Sequence, residues 1–202
     1  MLRILVVALV VLVAAMFMLP HGARGKLQAT TLLPEPRALP DVALTDARGQ
    51  PLHLGDLRGD FTLVFFGFTN CPDVCPLTLK ALADARAELA RRAPRLTPPK
   101  VLFISVDPAR DSADRMAAYL GNFDPAFIGA TAADAALEPL LAALGVTVEK
   151  HAHDGARYNI VHGTAVYFLD ADARWIAVAK GPQDPAVFAA DYLKIRLLRP
   201  TA

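Results

Sequence analysis

The chain passes from a strand to a helix within one short run, Thr62-Leu63-Val64-Phe65-Phe66-Gly67-Phe68-Thr69-Asn70-Cys71-Pro72-Asp73-Val74-Cys75-Pro76. The apolar start of this run predicts a buried strand. Pro76 suits the first turn of a helix, where its missing N–H costs no hydrogen bond. A strand that leads into a helix is typical of α/β folds, in which ligands usually bind at the carboxyl edge of the sheet.

The same run contains both cysteines of the chain, Cys71 and Cys75. Two sulfurs at this spacing can form a reversible disulfide or bind a thiophilic metal ion. Peptide N–H groups at a helix start favour negative charge, so we expect lowered thiol pKa values here. The alternative interpretation is a structural disulfide or a pair of inert buried thiols.

Length and composition limit the classes of protein that fit. With 202 residues, of which 54% are hydrophobic and 20% charged, the chain has enough apolar material for one domain with a real core and an appendage. The formal net charge of +1 gives no basic excess that could release counterions from phosphate. We therefore expect no nucleic-acid partner.

Residues 1–20 predict a membrane segment, because an unbroken apolar stretch ends at Pro20. No small-x-small cleavage site follows, which favours an uncleaved anchor over a removed signal peptide. Arg3 would stay on the cytoplasmic side, so the rest of the chain would face the periplasm from a bacterial-type inner membrane. Isolated thiols tend to be oxidised in that compartment, and metal binding would then require a thiol reductant.

The remaining chain predicts a tether over residues 21–38 and a single domain over residues 39–202. The element order indicates an α/β sandwich with a mixed central sheet and flanking helices. The expected strands are a hairpin within 42–54, then 61–68, 101–106, 146–150, 164–169 and 175–180. The expected helices begin near Pro76, after Ser112, at Thr131 and after Asp184.

Two thiolates make an incomplete metal site. Zinc normally takes four ligands, whereas copper(I) is softer and accepts two thiolates with one imidazole. His21 lies in the predicted tether, His53 in the first hairpin, and His151 and His153 in a polar loop that we interpret as a solvated hairpin tip. His162 directly precedes an apolar strand, and the residues alone leave open whether it is a ligand or a hydrogen-bonded structural histidine.

Further polar and aromatic residues lie close to the predicted site in sequence. Asp107 follows the second central strand, so we expect it at the same sheet edge as the cysteines, with Arg110 and Asp111 nearby. Asp107 either supports the site or a docking surface, or it is a turn residue that caps the next helix. Phe66 and Phe68 either shield the site from water and oxidant, which is the interpretation favoured here, or are simply core residues.

Three stretches together resemble the Sco/SenC family of membrane-anchored copper-binding proteins. The first is Gly67–Pro76, quoted above. The second is Phe103-Ile104-Ser105-Val106-Asp107-Pro108-Ala109-Arg110-Asp111, and the third is Tyr158-Asn159-Ile160-Val161-His162. The likeness runs from about Pro40 to Leu197 in consistent order.

The resemblance implies a thioredoxin-like fold that binds one copper ion, as Cu(I) or Cu(II), through Cys71, Cys75 and His162. It also implies delivery of copper to the copper-bearing subunit of cytochrome c oxidase, or reduction of the cysteines at that copper site. A periplasmic copper donor and a thiol reductant are the further partners expected. Many family members carry Asp before the histidine, where this chain has Val161, so copper affinity or partner choice could differ.

The rival hypothesis is a thiol–disulfide oxidoreductase, or a peroxide-linked thiol reductase, in which Cys71 and Cys75 are the redox-active catalytic pair. Reductases of this fold use Cys-x-x-Cys, whereas three residues separate the cysteines here. They also place a proline beside the cysteines, where this chain has His162-Gly163-Thr164. A histidine at that position favours a three-ligand pocket over a redox surface.

Overall fold

The computed structural model describes residues 26–152, 158–181 and 184–199. The strands are β1 (Thr30–Arg37), β2 (Leu44–Asp46), β3 (Pro51–Leu52), β4 (Thr62–Gly67), β5 (Lys100–Ser105), β6 (Ile128–Thr131), β7 (Val148–Ala152), β8 (Tyr158–His162), β9 (Val166–Leu169) and β10 (Trp175–Ala179). The helices are α1 (Val74–Arg92), α2 (Ala113–Gly121), α3 (Asp134–Leu144) and α4 (Pro185–Leu198), and a short 3₁₀ turn covers Leu54–Leu57.

Eight strands form one mixed sheet in the order β1-β10-β9-β4-β5-β6-β2-β3. Strands β4, β5 and β6 are parallel, and the other neighbours pair antiparallel. Strands β7 and β8 pair only with each other in a separate hairpin, as far as the described residues extend. The predicted α/β fold with a mixed central sheet and flanking helices is confirmed.

The core lies around the two central strands. All six residues of β4 are buried, as are five of the six in β5, so both faces of these strands are covered. Helix α1 packs against α4, and Phe188 of α4 stacks on Phe168 of β9 with ring centroids 5.1 Å apart. Aromatic rings in such stacked contacts contribute beyond the area that they bury.

Capping residues set most helix ends where the sequence predicts them. The Ser112 side chain accepts a hydrogen bond from the N–H of Arg115, and Asp184 accepts two at the start of α4. Gly145 ends α3 with a left-handed φ of 68°. Helix α3 begins three residues after the predicted Thr131, because Thr131 pairs with Ser105 and Thr45 as the last residue of β6.

The prediction of a tether over 21–38 is wrong for residues 30–37, which form the edge strand β1 beside β10. Two features fix this strand. Leu33 is buried, and the carboxylate of Asp191 in α4 accepts hydrogen bonds from the N–H groups of residues 28–30 at 2.8–3.1 Å. Asp191 is fully buried, so these hydrogen bonds to its carboxylate act away from water. They connect the start of β1 and the residues before it to α4.

A second difference concerns the segment that ends in His162. The sequence suggests a polar loop through Tyr158, but Tyr158 is the first residue of strand β8. Its partner β7 begins at Val148, two residues later than predicted, and Val148 pairs with His162. The hairpin thus brings the histidine to a defined place at its open end.

The single tryptophan, Trp175, begins β10. Its ring contacts Tyr167 of β9 edge to face at 5.8 Å, and the guanidinium of Arg37 in β1 lies 5.7 Å from the ring centroid. Trp175 and Tyr167 therefore have packing roles. Trp175 lies where the last residue of β1, Arg37, pairs with β10.

Within the described ranges, no helix has both the length and the apolar character needed to cross a bilayer. The predicted anchor over residues 1–20 lies outside those ranges and stays a prediction.

Candidate metal centre

Both cysteines lie at one edge of the central sheet. Strands β4 and β5 run parallel with Gly67 opposite Ser105, so their carboxyl ends share this edge. Cys71 follows β4 in a loop where its N–H donates to the carbonyl of Phe68 at 3.2 Å. Cys75 lies in the first turn of α1 and is fully buried, whereas Cys71 is 9% exposed. Both side chains are free thiols.

His162, the last residue of β8, joins the two thiols. Its Nε2 lies 3.4 Å from Sγ of Cys75, and the ligand atoms of Cys71, Cys75 and His162 all lie within 4.8 Å of one another. Among the residues that the structure describes, this is the one group of three ligating side chains placed to share a metal ion. The structure thus brings together all three sequence-predicted ligands.

The group fits a three-coordinate soft ion. Ligand atoms at about 2.0–2.3 Å from one ion, as for zinc, are separated from each other by roughly 3.5–4 Å in a trigonal arrangement. The observed separations need only a small contraction to reach that range. Two sulfurs and one imidazole form a donor set that suits soft metal ions better than hard ones.

The imidazole of His162 presents its free nitrogen to the sulfurs. Its Nδ1 lies 2.8 Å from the carbonyl oxygen of Gly163, which can only accept, so Nδ1 carries the hydrogen. Nε2 is then left with a lone pair directed towards Cys75. Burial lowers the pKa of His162 below its ordinary value of 6.5, so the ring stays neutral and able to bind metal.

The expected low thiol pKa is wrong for Cys75. Burial raises the pKa of this thiol well above its ordinary value, and a hydrogen bond with Cys71 raises it further. The N–H groups at the start of α1 do not outweigh the loss of water around the sulfur. Metal binding at Cys75 must therefore displace a proton that the metal-free protein holds firmly.

Aromatic rings enclose the histidine. Phe68 and Phe65 contact the His162 ring edge to face, with centroids 5.7 Å and 6.3 Å away. The expectation for Phe66 is wrong, because its side chain points to the opposite face of β4 and packs on Tyr167. The site is thus shielded by Phe65 and Phe68.

Asp111 supports the cysteine loop. Its carboxylate is 1% exposed and accepts hydrogen bonds from the N–H of Thr69 at 2.9 Å, from the Thr69 hydroxyl at 2.5 Å and from the Ser105 hydroxyl at 2.6 Å. Thr69 lies two residues before Cys71. Asp111 therefore fixes the loop that carries the cysteines to the end of β5.

Asp107 is a turn residue, as one of the two interpretations has it, but the cap of the next helix is Ser112. The backbone carbonyl of Asp107 accepts hydrogen bonds from the N–H groups of Arg110 and Asp111 in a turn. Its buried carboxylate also accepts hydrogen bonds from Arg110 and from the hydroxyl of Tyr158. Sequence reasoning gave Tyr158 no part in the site. Its place beside Arg110 depends on strand β8, which sequence reasoning did not predict.

The other histidines do not join the site. His53 is 43% exposed and pairs with Asp41 at 3.1 Å. His151 is 55% exposed and lies 3.2 Å from Glu149. His21 and His153 lie outside the described residues.

Gly67 provides the space for Cys75. A Cβ at this position would lie 2.7 Å from the Phe103 ring and 3.1 Å from Sγ of Cys75. We expect Gly67→Ala to lower the free energy of unfolding by about 1–3 kcal/mol, because overpacking forces ring and sulfur apart. Urea unfolding of the reduced, metal-free protein measures this loss. Gly163→Ala is the control, since nothing lies within 4 Å of its Cβ. Equal stability of the two variants would contradict the packing shown.

Comparison with known proteins is consistent with this geometry. The sequence model of the SCO1/SenC family matches residues 33–196, which include the cysteine loop, the Asp107 turn and His162. The chain belongs to the SCO1/SenC family. The match also includes most of β1, so the edge strand belongs to the family domain.

Individual relatives are also similar to this chain in sequence. The chain is 35% identical to the mitochondrial SCO2 homolog of Bos taurus, over 65% of this chain and 50% of that protein. It is 34% identical to a protein of Stutzerimonas stutzeri that is named for proposed copper binding, over 70% of this chain and 68% of that protein. The chain thus spans about half the length of its mitochondrial relative.

Among solved structures, copper-bound ScoI of Bradyrhizobium japonicum superimposes with a TM-score of 0.68. It is 31% identical, and the match covers 78% of this chain and 99% of that one. A family member with the same fold has therefore been seen with copper bound.

Proposed function

We propose that this protein is a copper carrier that binds one copper ion through Cys71, Cys75 and His162 and supports assembly of the copper centre of cytochrome c oxidase. The observation that carries the proposal is the meeting of two thiols and one imidazole within 4.8 Å of one another at a sheet edge. Copper(I) is the ion best suited to this set of donors. The copper-bound structure of a relative with this fold supports the choice of metal.

The proposal includes a location and partners. A single anchor over residues 1–20 would hold the domain on the periplasmic side of a bacterial-type inner membrane, as the apolar run and Arg3 suggest. A thiol reductant would keep Cys71 and Cys75 in the dithiol form in that oxidising compartment. A periplasmic donor would supply the copper, and the copper-bearing subunit of the oxidase would receive it.

A thiol–disulfide oxidoreductase is the second candidate, and the closeness of two free thiols, whose sulfur atoms lie within 4.8 Å of each other, favours it. In that role the pair would transfer two electrons to a partner disulfide and become a disulfide itself. The imidazole of His162 weighs against this role as the main one, because its Nε2 lies 3.4 Å from Sγ of Cys75 and supplies a third metal-binding atom beside the two thiols.

Mixing the copper-loaded, reduced protein with the metal-free copper-bearing subunit, without oxygen, separates the two functions. A carrier transfers copper to the reduced subunit and keeps its own thiols, which elemental analysis and thiol counting measure after separation. A reductase converts the oxidised subunit to its dithiol form, and Cys71 and Cys75 become a disulfide. Retention of all copper by this protein would contradict the carrier function.

The pKa directions predict how copper binding depends on pH. Copper(I) must displace the firmly held proton of Cys75. The affinity for copper(I) should therefore fall about tenfold for each unit by which the pH is lowered, for each proton released. His162 has a lowered pKa and is already neutral above pH 6.5, so it should add nothing to this slope there. Competition titrations with a copper(I) chelator at about pH 7 and 8 give the slope. Constant affinity across this range would contradict a protonated Cys75.

A further inference from the structure

Arg110 connects the turn after β5 to the first residue of β8. Its guanidinium lies 3.9 Å from the centroid of the Tyr158 ring, and Nη1 donates to the Tyr158 carbonyl oxygen at 3.1 Å. Its Nε donates to one carboxylate oxygen of Asp107, and the Tyr158 hydroxyl donates to the other. The three residues form a closed cluster, which we call the Arg110 clasp.

The clasp acts on the hairpin that carries His162. Tyr158 and His162 are the first and last residues of β8, which pairs with β7 and with no strand of the eight-stranded sheet. Backbone ladder bonds therefore do not fix the hairpin to the rest of the domain. Its described attachments are side-chain contacts: the clasp, the His162 ring against Phe65, Phe68 and Cys75, the packing of Val148 and the buried Ile160 on the core, and an ion pair of Lys150 with Asp134 at 2.6 Å.

The clasp is the strongest polar contact among these attachments on physical grounds. The Asp107 carboxylate is fully buried, so its hydrogen bonds to Arg110 and Tyr158 act away from water. The Lys150 pair is largely exposed, and such pairs contribute little. The guanidinium of Arg110 also lies 5.9 Å from the Phe68 ring, which itself packs on His162. Arg110 thus touches both the hairpin and a ring beside the imidazole.

We propose that Arg110 and Tyr158 are positioning residues, which together with Asp107 hold the imidazole of His162 within reach of the two sulfurs. The inference rests on the proposed binding of copper at this site. Without the clasp, the hairpin loses its buried polar attachment, and the apolar contacts that remain allow it to move away from the sheet edge more readily. Copper would then be held by Cys71 and Cys75 alone.

Arg110→Gln tests the proposal in the full chain, reduced and loaded with copper(I). We expect 10–100-fold weaker binding, which is typical when a group that orients a ligand is removed. We also expect loss of the imidazole contribution to the copper X-ray absorption spectrum, with both sulfur ligands retained. Arg86→Gln is the matched control, because it removes a similar Arg–Asp pair, with Asp124 at 2.9 Å, in the middle of α1. It should leave affinity and spectrum unchanged.

Two variants, Tyr158→Phe and Tyr158→Leu, separate the contribution of the Tyr158 ring from that of its hydroxyl group. Phenylalanine keeps the ring under Arg110 and loses the hydroxyl bond to Asp107, so we expect a smaller loss of affinity than for leucine, which loses both. Should Arg110→Gln fail to fold, these two variants carry the test. Unchanged affinity and an intact imidazole signal in Arg110→Gln or Tyr158→Leu would overturn the proposal.

Amide hydrogen exchange in the metal-free, reduced protein gives a readout that does not depend on copper. We expect residues 158–162 to exchange at least about tenfold faster in Arg110→Gln, while β4 keeps its rates. If the wild-type chain bound no copper, the proposed function would fail, yet these rates would still decide whether the clasp holds the hairpin. Equal exchange in β8 of wild type and variant would show that it does not.

Discussion

We expect Cys75→Ser to abolish stoichiometric binding of copper(I) to the reduced protein. A serine hydroxyl is a hard oxygen that keeps its proton, so it cannot replace a thiolate for a soft cation. Sγ of Cys75 is also the sulfur nearest to the histidine, at 3.4 Å from Nε2 of His162. The loss should exceed the roughly 10–100-fold that follows removal of a residue that only supports a ligand. Elemental analysis gives the copper bound per chain, and chelator competition gives the affinity.

Two companion variants and one control complete this experiment. Cys71→Ser should act like Cys75→Ser, while His162→Ala should leave weak binding by two sulfurs. His53→Ala removes an exposed histidine that pairs with Asp41, so it should bind copper as the wild type does. Stoichiometric copper in Cys75→Ser at wild-type affinity would place the metal elsewhere.

The second large effect concerns the stability of the domain and the attachment of the edge strand β1. Asp191→Ala removes the buried acceptor for the N–H groups of residues 28–30, and it leaves Lys194 with its hydrogen bond to the Lys26 carbonyl but without the carboxylate 3.8 Å away. Buried polar groups without partners cost heavily, so we expect the free energy of unfolding to fall by about 3–5 kcal/mol. Urea unfolding followed by circular dichroism measures this change.

Asp84→Ala is the matched control for Asp191→Ala. Asp84 also lies on a helix and pairs with a lysine, Lys80 at 2.9 Å, but both side chains are exposed. Exposed pairs of this kind contribute about 0.3–0.5 kcal/mol, so stability should change little. Similar decreases in the free energy of unfolding of the two variants would mean that the hydrogen bonds of Asp191 do not stabilise the edge strand. Copper binding by the folded Asp191→Ala protein should be unchanged, because Asp191 contacts none of the three ligands.

The regular elements of the fold could be predicted because their signals are local. Strands β4 and β5 are continuous apolar runs, and Ser112, Gly145 and Asp184 mark helix ends by their own chemistry. Strand β1 could not be found in this way. It contains two prolines, which an edge strand with a bulge tolerates, and its acceptor Asp191 lies more than 160 residues away in sequence.

The three candidate ligands could be predicted, whereas their surroundings could not. Cys71 and Cys75 are unmistakable in a chain without other cysteines, and His162 followed from the family resemblance. The high thiol pKa of Cys75 results from burial under elements that are distant in sequence. The contact of Arg110 with Tyr158 needs strand β8, which has one buried residue, Ile160, and therefore no clear alternating pattern.

The position of Trp175 gives the protein an intrinsic fluorescent reporter. Because it is the only tryptophan, its emission describes one place, the contact of the Arg37 guanidinium with the indole at the β1 edge. Release of β1 should therefore shift the emission, whereas movement of the β7–β8 hairpin should not, because Trp175 belongs to the other sheet. Emission spectra of the unlabelled chain can thus distinguish the release of strand β1 from a movement of the hairpin that carries the candidate ligand His162.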